Sequence, residues 1–326
     1  MNTNAETLFK KGVENFRAKN FVEAEKIFLE LKNFYPTNKD ILKNLSICFF
    51  QNKKFKECEN IIKNMLDLGF KERKLLEYLL LVFKKQDNVK EILNLINSEK
   101  ENINQKYKLL EKFERPAIPV DVDEIKDYRE KSLEKINNEL LEKNLNLDVD
   151  RQFLDPPLFY YSYDDKDNLK LSKKLNLLFR NSYPDLNKEF PVNYSDNEKI
   201  KIGFVSEFFT NHTIGRLFKN IIFSLDQSKF NIFVLHSKKT KSSDLFNEFI
   251  KKEKNGFLKN IRLPEKLSEK ISFFKKEKFN ILFYPDIGMS IEMYYLSLIR
   301  LAKHQIMSWG HPETTGSESI DFFLCS

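Results

Sequence analysis

Apolar positions in the first hundred residues recur at spacings of three and four. From Ala5, "AETLFKKGVENFRAKNFVEAEKIFLELKNFYPTN" puts Leu8, Gly12 and Phe16 on one stripe and Phe21, Ala24, Phe28 and Leu31 on a second. Such spacing places side chains on one face of a helix, so the segment predicts two helices and a short turn. About 34 residues later the pattern returns in "KDILKNLSICFFQNKKFKECENIIKNMLDLGF". Leu8 corresponds to Leu42, Gly12 to Ser46, Phe16 to Phe50 and Phe21 to Phe55. Ala24 then corresponds to Cys58, Phe28 to Ile62 and Leu31 to Met65. Small residues fall where helices cross closely, and large ones fill the space beside them.

A weaker third copy runs through Leu76, Leu80, Phe83, Val89, Ile92 and Ile96. The register of large and small anchors resembles a tetratricopeptide array; two generic helical hairpins are the alternative. "FERPAIPV" breaks the helical pattern at Pro116 and Pro119. A charged amphipathic helix is expected from Val122 to Lys143, then an aromatic turn, "LDPPLFYYSYDDKDN", leading into one more helix. "NYSDNEK" reads as a polar linker.

Beyond the linker the period changes. "KIKIGFVSEFF", "FNIFVLHS", "FLKNIRLP", "FNILFYPDIG", "HQIMSW" and "IDFFLCS" read as strands. "TIGRLFKNIIFSL", "DLFNEFIKKEK", "LSEKISFFKKEK" and "IEMYYLSLIRLA" read as the helices between them. This alternation predicts a parallel sheet covered on both faces. The expected division is 1–103 for the helical repeats, 104–198 for a helical linker region and 199–326 for the sheet domain. Ligands of such sheets bind off the carboxyl ends of the strands. Three loops therefore matter most: "SEFFTNHTIG", "YPDIGMS" and "GHPETTGSES".

Composition adds limits. The chain has 326 residues, 41% hydrophobic and 32% charged, enough for two structural units. Apolar runs are short and broken, and "MNTNAETLFKKG" has no apolar signal core, so neither a membrane span nor secretion is expected. Three scattered cysteines, Cys48, Cys58 and Cys325, make no disulfide framework and fit a reducing, cytoplasmic setting. The net charge of +7 is spread among acidic residues without a clustered basic stripe, which argues against nucleic acid.

Each loop admits two readings. His212 precedes Thr213, Ile214 and Gly215 at a helix start, where free N–H groups favour anions. It is either a proton-handling group or an exposed loop histidine beside a Thr213 cap. Asp286 and Gly288 follow a strand, as a carboxylate facing a cleft or as a capping aspartate and turn glycine. In the third loop Gly310, Pro312 and Gly316 fix a tight path, and Thr314, Thr315 and Ser317 supply hydroxyls, for a sugar or phosphate or for an ordinary turn. The carboxylates from Tyr163 to Asn168 suggest a metal less than a polar turn capping the next helix. No metal-ligand spacing occurs among the histidines and cysteines.

Together, "KIGFVSEFFTNHTIGRLF", "ILFYPDIGM" and "LAKHQIMSWGHPETTGSESIDFFLCS" resemble the bacterial branch of the O-linked N-acetylglucosamine transferase family, which includes Spindly-type proteins. The order of the motifs and the helical array before them also fit, and "WGHPETTGS" is the strongest element. The resemblance implies a GT-B architecture of two Rossmann-like domains, of which residues 199–326 would be the first. It implies transfer of a sugar, N-acetylglucosamine, from a uridine diphosphate donor to Ser or Thr, with protein acceptor in the helical groove and no metal or other cofactor. By the same resemblance His212 is the cleft histidine, and Trp309, Gly310, His311 and Pro312 lie against the donor sugar. Thr314, Thr315, Gly316 and Asp286 join them as substrate-binding candidates. The second half, which holds most of the donor site, would lie beyond Ser326, so little activity is expected of these residues alone. The alternatives are a non-catalytic interaction scaffold and an Asn-directed cytoplasmic glycosyltransferase.

Overall fold

The computed structural model describes residues 3–187, 199–311 and 313–325. The chain divides into two compact units, Met1–Pro119 and Val120–Ser326. Residues 193–198 of the expected polar linker lie outside the described residues, as does Pro312.

The first unit is a helical array. Its antiparallel pairs are α1 (Thr3–Arg17) with α2 (Phe21–Phe34), α3 (Lys39–Gln51) with α4 (Phe55–Asp67), and α5 (Arg73–Lys85) with α6 (Val89–Ser98). A short α7 (Lys106–Leu110), which the sequence pattern did not announce, follows. The repeat is physical as well as sequential. Phe16 and Phe21 meet edge to face with ring centroids 5.5 Å apart, and Phe50 and Phe55 do the same at 5.5 Å. Each tight turn places one residue in the left-handed region: Lys19, Lys53 and Asp87, with φ of 61°, 61° and 54°. Ala24, Phe28, Cys58 and Ile62 are fully buried, as crossing positions require. A Cβ on Gly12 would stand 3.0 Å from the Phe28 ring, so the small anchor meets the large one as the pattern predicts.

A polar rung repeats too, and the apolar pattern did not reveal it. Buried Glu25 accepts from Asn52 Nδ2 at 2.7 Å, and buried Glu59 accepts from Gln86 Nε2 at 3.2 Å. Each carboxylate of one repeat thus ties down the turn of the next. Burial would be costly for these charges without such donors.

The second unit opens with α8 (Val122–Glu142), capped by the Asp121 side chain and ended by Lys143 in the left-handed region. Then come α9 (Leu158–Tyr161), α10 (Leu169–Ser182) and a 3-10 turn at Pro184–Asn187. The carboxylates of the intervening turn are divided between two tasks. Asp167 Oδ1 accepts from the Leu169 N–H at 2.9 Å, a turn bond just before the cap residue Asn168 of α10, whereas buried Asp164 pairs with Arg129 at 3.1 Å and takes the Tyr128 hydroxyl.

The remainder is β1 (Ile200–Ser206), α11 (Thr213–Phe223), β2 (Phe230–His236), α12 (Asp244–Lys254), β3 (Lys259–Arg262), α13 (Leu267–Glu277), β4 (Phe279–Tyr284), α14 (Ile291–Ser297), β5 (Ala302–Ser308) and β6 (Phe322–Leu324). All six strands pair in parallel, in the order β3-β2-β1-β4-β5-β6. The order reverses between β1 and β4, the place where doubly wound sheets open a crevice. Ile202, Phe204, Ile232, Val234 and Phe283 form one core with Phe218 and Ile222 of α11 and Phe249 of α12. On the other face Phe279 packs against Phe233 and against Phe274 of α13, with centroids 5.1 and 5.9 Å away. Tyr294 and Tyr295 of α14 meet Phe179 of α10 edge to face.

Several strands are shorter than the sequence reading, β1 ending at Ser206 and β4 at Tyr284, and one helix boundary moves further. The helix expected through Ala302 ends at Ser297, and β5 begins at Ala302, two residues early. The cause is buried Gln305. Its Oε1 accepts from the Leu301 N–H at 2.6 Å, and its Nε2 donates to the carbonyls of Ile299 and Ser319 at 3.1 and 2.8 Å. These bonds satisfy a buried turn that helical pairing would otherwise have to cover. Among the described residues no helix is long and apolar enough to cross a membrane.

Candidate functional site

The crevice at the β1/β4 reversal is built from three loops. After β1 the chain turns through Phe208 and enters α11 at His212. The sequence pattern pointed to Thr213 as the alternative cap; Thr213 is instead the first helical residue, and His212 is the cap. Its Nδ1 accepts from the Ile214 N–H at 3.2 Å. The ring leans on Phe208, centroids 4.7 Å apart, and the residue is exposed. In a neutral imidazole an accepting Nδ1 leaves the proton on Nε2. His212 therefore carries its N–H donor on Nε2.

After β5 comes the second loop. A Cβ on Gly310 would lie 2.2 Å from the Pro285 carbonyl oxygen and 2.7 Å from Ile214 Cδ1. Only a residue without a side chain fits there. Through it the β5 loop, the β4 loop and the first turn of α11 meet at one point. Trp309 turns inward against Phe218, centroids 5.2 Å apart. His311 is buried, which lowers its pKa, with Glu313 opposing. Its ring covers Gly288, whose φ of +103° admits no ordinary side chain, and its Nε2 lies 3.4 Å from Ser162 Oγ. The exposed Phe159 ring stands 5.6 Å from it.

The third loop carries Asp286, which is fully buried and caps no helix; Ser290 is the cap residue of α14. Asp286 Oδ2 accepts from Ser206 Oγ at 3.0 Å, while Oδ1 has no partner among the described residues. Burial pushes its pKa up to about 7; the Ser206 bond opposes this, and the charge of Glu207 adds to it. Ser206 Oγ also accepts from the Phe208 N–H at 2.9 Å, and Glu207 Oε2 accepts from Ser290 Oγ at 2.8 Å. Ser206, Glu207 and Ser290 were not among the candidates drawn from the sequence. The signal for Ser206 and Glu207 was a polar pair ending the apolar run "IGFV" at a strand's carboxyl end; Ser290 had none.

His212, Asp286, Trp309, Gly310 and His311 thus belong to loops that touch. Thr314, Thr315 and Gly316 lead away from that point. Asn176 Nδ2 of α10 donates to the Thr315 carbonyl at 2.8 Å, and Gly316 abuts the backbone of Lys173. The hydroxyl oxygens of Thr314, Thr315 and Ser317 are engaged locally. Thr314 Oγ1 accepts from the Gly316 N–H, Thr315 Oγ1 accepts from the Ser317 N–H, and Ser317 Oγ donates to the Ser297 carbonyl at 2.6 Å. Chemically, the crevice offers an N–H donor on exposed His212 beside a glycine-floored wall.

No family model matches this chain, and no curated protein matches it. Among solved structures, a mutant of O-GlcNAc transferase from Thermobaculum terrenum is similar over 98% of this chain, with 14% identity and a TM-score of 0.49. The match covers 53% of that protein, so the chain spans about half its length.

Proposed function

We propose that this chain is the acceptor-facing part of a protein glycosyltransferase. It would help move N-acetylglucosamine from a uridine diphosphate donor to Ser or Thr hydroxyls, with the helical array holding the protein. The observation that carries the reading is the contact at Gly310, which brings the His212-capped helix start against the Trp309–His311 turn at the reversal of strand order. The motif resemblance supplies the reaction class. In the transfer, the acceptor oxygen attacks the anomeric carbon, the bond to the diphosphate oxygen breaks with its electron pair leaving on the diphosphate, and the hydroxyl proton passes to that diphosphate or to water. A hydroxyl is a weak nucleophile, so alignment carries much of the work. His212, with Nδ1 fixed in its cap, would orient an oxygen through Nε2–H and not remove a proton.

The test is transfer of label from UDP-N-acetylglucosamine to Ser-, Thr- and Asn-containing peptides, with a donor-binding half from an O-GlcNAc transferase supplied in trans. Label on Ser or Thr is expected. His212→Ala should slow it by about 10²-fold, the scale of a positioned hydrogen-bonding group, and His212→Asn, which keeps a donor and a cap, by less. Label only on Asn peptides would replace the Ser/Thr assignment. A second reading, a non-catalytic interaction scaffold, draws on the internally engaged hydroxyls of Thr314, Thr315 and Ser317. Peptide capture with no transfer from any donor would decide for it.

A further inference from the structure

The helical array holds an open cleft between α3 and α5, beside the turn that joins α4 to α5. It encloses about 240 Å³. Its floor is apolar. Met65 and Leu75 are buried there, whereas Ile47 and Phe70 are half-buried and keep apolar surface in water. The volume is below the roughly 300–1,000 Å³ of pockets for small molecules and suits one large side chain.

The rim is charged, and unevenly. Lys39 and Lys43, one turn apart on α3, and Lys74 on α5 surround a single carboxylate, Glu72. Lys39 pairs with Glu72, and its ammonium lies 5.7 Å from the centre of the Phe70 ring. Lys39 holds the Glu72 carboxyl below its usual range, and the charges of Lys43 and Lys74 add to this. Lys43 and Lys74 are exposed and have no ion-pair partner among the described residues. The one carboxylate is engaged, and two positive charges are left over. Repeat packing does not call for them. One repeat earlier, Lys39 and Lys43 correspond to Ala5 and Phe9.

We propose that this cleft binds an acidic peptide segment, with one large apolar side chain on the Ile47–Phe70 floor and a carboxylate on either side of it, at Lys43 and at Lys74. The surplus positive charge selects the flanks, and the floor selects the anchor. Lysines alone would hold any polyanion. A floor that takes an apolar side chain between the charges favours a protein over a nucleic acid. The proposal names the partner chemistry of the array and rests on the reading of that array as the part that holds protein.

A fluorescein-labelled peptide, Gly-Asp-Glu-Phe-Asp-Glu-Gly, is titrated with the full chain and followed by anisotropy. Saturable binding is expected. A peptide with Ala in place of Phe, and one with Lys in place of the acidic residues, should each bind at least tenfold more weakly. The acidic peptide should lose at least tenfold in affinity for the chain carrying Lys43→Glu and Lys74→Glu, two exposed substitutions, with folding checked by circular dichroism. Absence of saturable binding, unchanged affinity in that variant, equal binding of the Ala peptide, or tighter binding of single-stranded oligodeoxythymidylate would each overturn the proposal. No donor enters this measurement. Transfer without peptide binding would therefore strike the cleft alone, and peptide binding without transfer would strike the transfer reaction alone.

Discussion

Two buried titratable residues in the sheet domain act on stability with opposite signs. His236 is fully buried among Phe209, Phe246 and Phe249, and burial lowers its pKa to about 4. Above its ordinary value of 6.5 both folded and unfolded chains hold it neutral. As pH falls from 6.5 towards 4, the unfolded chain takes a proton that the fold refuses, and stability drops. Asp286 does the reverse. Above about 7 the fold must carry a buried charge; as pH falls from there towards 3.8 the fold takes up a proton and stability rises. The histidine is worth about 3 kcal/mol at most and the aspartate about 4, so over pH 7 to 4 the two oppose each other, with His311 adding to the histidine side. Urea midpoints should show it. Asp286→Asn should lose stability on acidification more steeply than the wild type, and His236→Leu should gain. If both variants kept the wild-type profile, the burial argument would fail. At Gly310 the expectation is steric. Gly310→Ala drives a methyl into the Pro285 carbonyl and Ile214, so it should cost about 1–3 kcal/mol and lower the thermal midpoint.

At the scale of elements, the tight turns of the array carry strain. Lys19 and Lys53 hold positive φ, where a residue with a Cβ costs roughly 1–2 kcal/mol. Lys53→Gly should recover part of this, a gain of about 0.5–1 kcal/mol in chemical denaturation. Ala24→Trp should do the opposite by about 1–3 kcal/mol, because Ala24 is fully buried at a crossing. An unchanged midpoint in that variant would contradict the repeat packing. Helices and strands were legible where one face is apolar throughout: α12 covers Asp244–Lys254, the same residues that the pattern marked out. What the pattern could not show was side-chain hydrogen bonding across sequence distance. The Glu25 and Glu59 rungs look like solvated charges, and Gln305 looks like a mid-strand polar residue until its turn is seen. The hydroxyls of Thr314 and Thr315 have the right chemistry for a ligand, but residue type does not say that backbone N–H groups already hold them.

At the scale of the molecule, the described residues contain a single parallel sheet, whereas the proposed reaction needs a donor surface opposite the crevice. The crevice itself offers few donors, since the Ile214 N–H is already taken by His212. A diphosphate bound on one side stays largely in water, where each contact gains little. The chain alone should therefore bind uridine diphosphate only feebly and turn over no donor. Micromolar binding in a calorimetric titration would refute this. The strand order has a consequence of another kind, in time. β1 joins β2 across some thirty residues but joins β4 across some eighty, from Ile202 to Ile281. The helical array closes through neighbours in sequence. Contacts between distant residues must pay loop-closure entropy before they yield anything, so they form late. Refolding should then be biphasic, with helical signal returning in the fast phase. The Phe218–Trp309 contact depends on β4 and β5 being in place, so the single tryptophan's fluorescence should follow only in the slow one.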